Sequence, residues 1–559
     1  MCGIWSFLQI TKCEDFNSTL KLILNFWNIN NRGPNNSILQ NYKDLWIGFH
    51  RLSIIDKSMH SNQPFVLRNG ENTIIFICNG EIYNYKELIK EYDLPSTDSD
   101  CITVPYLYLK FEYDEFLKLF NKNIKGEYAF MLFEFDKYNN IKHIVAGRDT
   151  IGIRPLYYHP ITTNSTALIF SSEVKGTKDF HDNVIEFPPG NIMKINFDEF
   201  KKYTHTNTFI FKQYLDTVSF GLKTSEETYL DNIKRAVINS VKRRLNTDQP
   251  MAFLLSGGVD SSLVACISSK ILGIPIRTFC CGMNEGTDLI YARKVAQHIG
   301  SLHTEVMFTP QEGLDLIKDV IYTIESWDTT TVRASIGQYL VCRYIGMKTD
   351  AKVVFVGEGP DEVCSSYLFN WYAPNGDMLH NTAMKYVDEI HYYDGKRADR
   401  CISRWGLEGR IPFLDTEFIE AYWNVPSEFR MPTHKNMEKW WLRKAFENSG
   451  IIPSEVLWRK KEAFSDGVSS KEKSWFQIIQ EFIDIQVSDE EFSKASELYK
   501  YNTPKTKEAF YYRQIFCELF GESRQNIIPH YWQPKWTSDG KEVNEYIDPS
   551  ARVLKVYSD

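Results

Sequence analysis

The chain has no CxxC pair, no run of about 18 apolar residues, no surplus of positive charge and no internal repeat. Each absence excludes something. Without a CxxC pair, the 11 cysteines suggest neither a zinc ribbon nor a disulfide framework and read as thiols of a reduced, cytoplasmic protein. Without a long apolar run no membrane span is expected, and Met1-Cys2-Gly3-Ile4-Trp5 lacks the basic lead of a signal peptide. With 64 Lys and Arg against 72 Asp and Glu, the net charge of −8 argues against a nucleic-acid-coating surface. What is there is ordinary globular composition, 43% hydrophobic and 24% charged, over 559 residues, enough for several domains.

Up to about residue 190 the chain is rich in short β-branched and aromatic runs. Trp46–Asp56, Thr73–Tyr83, Glu127–Asp136, Lys142–Arg148 and Ala167–Ser171 read as strands, with helical spacing at Thr19–Asn28 and Asp100–Phe111. This predicts layered β-sheet with helices outside. Pro188-Pro189-Gly190 is turn punctuation, and residues 191–224 read as a polar linker. The rhythm then changes to strand and helix in alternation: Ala252–Leu255, Asp260–Leu272, Ile274–Cys281, Asp288–Ile299, Thr304–Phe308, Pro310–Ser326 and Lys352–Val356. That order predicts a parallel α/β sheet covered on both faces, with ligands at the carboxyl ends of its strands. The expected domains are therefore residues 2–190 and 225–536, with a surface tail over 537–559.

Two constellations carry chemistry. Trimming of Met1 would leave Cys2 with both a thiol (reference pKa about 8.5) and a free α-amine (about 7.7–8.0) that can act as its general base. A small buried structural cysteine is the other reading of Cys2. Ser256-Gly257-Gly258-Val259-Asp260-Ser261-Ser262 stands between a strand and a helix. Its glycines free backbone N–H groups for a concave anion nest, and the helix start adds its positive dipole end. No Walker lysine accompanies it.

Around Cys2, the pieces Met1-Cys2-Gly3-Ile4, Arg32-Gly33-Pro34, Gly48-Phe49-His50-Arg51-Leu52, Asn79-Gly80-Glu81-Ile82-Tyr83-Asn84, Ser99-Asp100 and Gly147-Arg148-Asp149 follow one another in an order that resembles the class II glutamine amidotransferases. The resemblance implies an αββα sandwich of the N-terminal-nucleophile hydrolase kind and a glutaminase with Cys2 as nucleophile. It places Arg51 on the glutamine α-carboxylate and Asp100 on its α-ammonium. Asn79 and Gly80 would form the oxyanion hole, with Leu52, Ser53, Ile54, Ile55 and Glu81 completing the glutamine subsite. The chain departs at Asn35, where the family usually carries Asp.

The glycine loop resembles the pyrophosphate loop of ATP pyrophosphatases. The resemblance implies ATP contacts from Leu255, Ser256, Gly257, Gly258, Asp260, Ser261, Cys281, Val356, Gly357, Glu358 and Lys461. Val356-Gly357-Glu358-Gly359-Pro360-Asp361-Glu362 is similar to the family's SGEGxDE segment, with Val356 and Pro360 as departures, and implies Glu358 as a catalytic carboxylate. Asp260 and Asp361 are the implied ligands of Mg²⁺. Trp327–Ser335, Arg397–Arg400, Gly406–Asp415 and Asn502–Lys507 extend the likeness to nearly the whole chain, which resembles the asparagine synthetase family of eukaryotic, glutamine-hydrolysing type. That implies asparagine made from aspartate, ATP and glutamine through β-aspartyl-AMP, with ammonia passed between two active sites, in a homodimer. A different carboxylate acceptor, and nucleotide or glutamine binding without turnover, are the alternatives.

Overall fold

The computed structural model describes residues 1–9, 16–160, 167–180, 183–197, 207–210, 224–284, 286–461, 467–469 and 473–549. They form two compact units. The first takes in 1–216 with the short segments 246–249 and 403–408, and the second takes in 217–245, 250–402 and 409–559.

The first unit holds two six-stranded sheets. One runs Ile185–Glu186 (β10), Tyr157–Tyr158 (β8), Ala167–Ser171 (β9), Gly3–Gln9 (β1), Leu45–Arg51 (β3) and Asn36–Tyr42 (β2). The other runs Asn207–Ile210 (β12), Asn191–Asn196 (β11), Ile141–Arg148 (β7), Gly126–Phe135 (β6), Asn72–Ile82 (β5) and Phe65–Asn69 (β4). Their pairings are antiparallel, so side chains alternate between two buried faces. Ile75 and Ile77 of β5 pack between the sheets with Ile4, Ile47, Phe133 and Leu168. Ile74, Phe76 and Cys78 point the other way, onto Leu107, Phe116 and Phe120 from the helices Thr103–Lys110 and Tyr113–Lys122. Trp5 and Phe7 on the outer face of the first sheet meet Leu22 and Phe26 of the helix Phe16–Trp27. This is the expected helix–sheet–sheet–helix sandwich. The same parity puts Asn79 on the side of Ile77 and Cys2 on the side of Ile4, where Cys2 packs against the inter-sheet core.

The expected domain end at residue 190 falls two strands early, before β11 and β12. Asn191–Asn196 pairs with β7, with Ile192 in the helix-side core and Met193 and Ile195 between the sheets. Pro188-Pro189-Gly190 is a turn inside the unit, pinned where the Gly190 N–H donates to Asp149 O at 2.8 Å. Residues 198–206 and 211–223 of the expected linker, and 550–559 of the tail, lie outside the described residues.

The second unit is built on a sheet of order Leu302–Met307 (β15), Arg277–Gly282 (β14), Met251–Leu254 (β13), Val353–Phe355 (β16) and Glu408–Arg410 (β17). β13 to β16 pair in parallel, and the central strands are buried on both faces. The chain moves outward from β13 to β15 and returns to place β16 on the other side of β13. That reversal opens a crevice at the carboxyl ends of β13 and β16. The loops leaving those strands meet there: a Cβ on Gly357 would stand 2.7 Å from the Ser261 N. No helix among the described residues is long and apolar enough to cross a membrane.

Candidate active sites

Cys2 is half-buried at the head of β1. The Leu52 N–H donates to its Sγ at 3.4 Å, and the thiol donates to Leu52 O at 3.7 Å. Burial pushes the thiol up to about 11, so it needs a base to become a nucleophile. Arg32 Nε donates to Cys2 O at 2.9 Å, while Nη1 reaches Glu173 at 2.7 Å and Ser403 at 3.1 Å, which fixes the Cys2 peptide. Met1 is buried between Arg32 and Arg154. Its α-ammonium donates to Leu407 O at 3.1 Å, and burial lowers its pKa to about 5.

Asn79, Arg51 and Asp100, all expected to bind glutamine, are buried polar groups. Asn79 is fully buried at 0% exposure, yet neither its Oδ1 nor its Nδ2 has a hydrogen-bond partner. Leaving such a group unsatisfied costs roughly 1–3 kcal/mol. Arg51 is buried too, and its guanidinium donates to Ser58 O at 2.7 Å, to Asn62 Oδ1 at 2.5 Å and to the Asp56 carbonyl. Those acceptors are neutral, so the cation keeps charge for an anion. Asp100 accepts from the Ile82 N–H at 2.7 Å, and burial pushes its pKa up to about 6. A Cβ on Gly80 would meet Glu127 O at 2.1 Å, so only glycine lets β5 lie this close to β6. Glu81 is buried beside it in sequence.

The segment Leu52–Ile55 is tied down from outside. Asn35 Oδ1 accepts from the Ser53 N–H at 2.9 Å, Gln249 Nε2 donates to Ser53 O at 2.5 Å, and the Asp248 N–H donates to Ile54 O at 3.1 Å. The amide of Asn35 thus supplies an acceptor oxygen without the charge of the usual Asp. Gly147-Arg148-Asp149 has a different task. Asp149 accepts from the Ile153 and Arg154 N–H groups, both at 2.9 Å, and Arg148 donates to three carbonyls, so the piece knots the turn after β7. Asp248, Gln249 and Leu407 carried no local sign of this site, because they arrive from distant parts of the sequence.

In the second unit a cavity of about 250 Å³ opens at the strand ends. Of the expected residues, Leu255, Ser256, Gly258, Asp260, Ser261, Cys281, Gly357, Glu358, Asp361 and Lys461 line it. Gly257 and Val356 stand behind the lining. Gly257 has φ +74°, and a Cβ there would fall 2.4 Å from Tyr291 Cβ; the Val356 N–H donates to Arg410 O at 3.1 Å. The helix Val259–Leu272 starts at Gly258 with no side-chain cap, so its first N–H groups remain available to an anion. Pro360 is the first residue of the helix Pro360–Val363, a position that needs no N–H donor.

Charges converge at one end. Lys439 Nζ stands 2.5 Å from Asp260 and 2.6 Å from Asp361, and Lys461 Nζ is 2.5 Å from Asp361. Burial opposes ionisation of Asp361, but the two lysines hold it well below the usual carboxylate range. Burial pushes Asp260 up, as does Asp361, against the pull of Lys439, and its buried Oδ1 has no partner. Glu358 accepts from Gln338 at 2.9 Å and Arg397 at 3.2 Å, and burial raises its pKa. The Lys461 loop is anchored by Arg459, 3.1 Å from Asp288 and stacked 4.0 Å over Tyr291. A second anchor follows at Met283 N–H to Val468 O, 2.7 Å. Residues 462–466, which follow Lys461, lie outside the described residues. Lys439 is the functional candidate the sequence reading missed, since one lysine before a Trp-Trp pair has no motif to mark it.

Family comparisons match both units. A glutamine amidotransferase domain model matches residues 1–212, and an asparagine synthase model matches 232–385 and 373–544. A glutamine-hydrolysing asparagine synthetase from Gallus gallus is 38% identical, covering 100% of this chain and 99% of that protein. Its Homo sapiens counterpart is 37% identical with the same coverage. The chain belongs to the glutamine-hydrolysing asparagine synthetase family, ATP-dependent ligases that perform glutamine-dependent asparagine synthesis.

Proposed function

We propose that the first unit releases ammonia from glutamine at Cys2 and the second activates aspartate in the 250 Å³ cavity. With Met1 removed, the Cys2 α-amine takes the thiol proton. The thiolate attacks the glutamine side-chain amide carbon, the Cys2 α-ammonium passes that proton to the amide nitrogen, ammonia leaves, and water hydrolyses the γ-glutamyl thioester. Asn79 Nδ2 and the Gly80 N–H stabilise the oxyanion, while Arg51 and Asp100 hold the two charges of the amino acid. The observation that carries this reading is the fully buried Asn79 amide with both polar atoms unpaired.

In the second unit, the aspartate β-carboxylate attacks the ATP α-phosphate, giving β-aspartyl-AMP and pyrophosphate. The Ser256–Ser261 loop and Lys461 hold the phosphates. Asp260 and Asp361 converge, and Asp260 keeps an unpartnered oxygen, which suits a cation that takes one or two carboxylates plus phosphate oxygens. Bound there, Mg²⁺ would neutralise charge on the departing pyrophosphate. Ammonia passed from the first site attacks the adenylate carbonyl carbon, Glu358 accepts the surplus proton, and AMP leaves. The ten described cysteines are all free, which suits a cytoplasmic setting. The homodimer rests on the family resemblance alone, and light scattering of the purified chain tests it.

The experiment incubates the protein with ATP, Mg²⁺, aspartate and amide-¹⁵N glutamine, beside a Cys2→Ala variant given ammonium. Labelled asparagine in step with pyrophosphate, lost in the variant and restored by ammonium, is the expected result. Pyrophosphate without labelled asparagine would show that the acceptor or the glutaminase assignment is wrong. Neither product would leave a binding protein.

A further inference from the structure

Lys439 bridges the carboxylate pair assigned above to the cation, and its ammonium takes the position between them. Nζ is 2.5 Å from Asp260 Oδ2 and 2.6 Å from Asp361 Oδ1, and the side chain is only 4% exposed. Asp260 Oδ1 is without a partner, but Lys439 holds Asp361 Oδ1 and Lys461 holds Asp361 Oδ2, so a divalent ion held jointly by the two carboxylates has to compete with an ammonium for Asp361. Asp260, Asp361, Lys439 and Lys461 together carry two negative and two positive charges, so the cluster is neutral as it stands. A divalent cation arriving alone would make it strongly positive in a buried setting, where like charges repel most. A cation arriving with polyphosphate brings its own anions. Those oxygens give the two ammonium groups new acceptors, which frees the carboxylates.

The geometry points to Lys439 as an internal cation that competes with the divalent ion for Asp260 and Asp361, making metal entry conditional on polyphosphate. The metal therefore binds as its nucleotide complex and not beforehand. The inference rests on the proposed role of the two carboxylates. It goes further in giving the order of binding and a residue that enforces it. Lys439 has φ +56°, in the left-handed region, which a methionine occupies no worse than a lysine.

The test uses the full chain without nucleotide, with Mn²⁺ alone as probe and the free Mn²⁺ resonance as readout. Lys439→Met should bind Mn²⁺ at least ~10-fold tighter than the parent protein, by loss of one like charge beside the ion. Lys439→Arg should stay at the parent level. The gain should vanish in Lys439→Met combined with Asp361→Asn. Equal Mn²⁺ affinity in Lys439→Met and the parent would overturn the inference. Asp361→Asn measured with pyrophosphate present would then decide separately whether the carboxylates hold a cation at all. Should Lys439→Met refold poorly from metal-free denaturant, millimolar Mg²⁺ should restore it, and failure to restore it would equally overturn the inference.

Discussion

Asn79 and Asp100 both hold polar character in a buried setting that a purely structural side chain would have matched or shed. Asn79→Ala removes one oxyanion donor and should lower the glutaminase kcat by roughly 10²–10³-fold with a small change in KM. Steady-state glutamate release checks this, and ammonium-dependent synthesis should not change. For Asp100 the pKa of about 6 lies above the ordinary carboxylate value, so the folded protein favours the protonated form. Its contribution to stability is then complete below the unfolded value near 4 and is lost as pH rises through about 6. Asp100→Asn should raise the melting temperature at pH 7.5, with the difference fading by about pH 4, while the KM for glutamine rises about 10–100-fold. In the unsubstituted protein that KM should climb as pH falls below about 6. Motif residues such as Arg51 and Asp100 could be named from the sequence because the proposed chemistry requires their type. Lys439 could not, because a charge is identified by what it meets in space.

Elements were most legible where one periodicity ran long. The β5 and β6 runs are near-continuous β-branched and aromatic stretches, and the strand–helix alternation after residue 250 named the sheet class. Asn191–Asn196 was hidden by the preceding Pro-Pro-Gly, which reads as a domain end but serves as a turn between paired strands. The phosphate loop shows a constraint no strand pattern reveals. The helix Thr287–Ile299 presses Tyr291 and Ala292 onto Gly257, leaving no room for a Cβ. Gly257→Ala should therefore abolish asparagine formation with either nitrogen donor, while glutamine hydrolysis persists. Parallel assays of pyrophosphate and glutamate on the one variant would check it, and joint loss of both would mean the damage is global.

At the scale of the whole molecule, the first unit is not one stretch of chain. Residues 246–249 and 403–408 belong to it, and they supply Gln249 to Ser53, Asp248 to Ile54, Ser403 to Arg32 and Leu407 to the Met1 amine. A fragment ending at residue 216 should melt lower than the full chain and hydrolyse glutamine with a reduced kcat/KM, measured by calorimetry and glutamate release. No reading of residues 1–190 alone could have shown this, since the late segments carry no sequence mark of where they return. The same burial sets a timetable. Met1 is 1% exposed and its amine is engaged with Leu407, so an aminopeptidase can no longer grip it in the finished fold. The removal of Met1 that the proposed Cys2 chemistry requires would then belong to the interval while the nascent chain is still open. A molecule that folds first is committed to a blocked Cys2 for its lifetime, and intact-mass analysis of a culture short of that peptidase would find a fixed inert fraction that later peptidase cannot rescue.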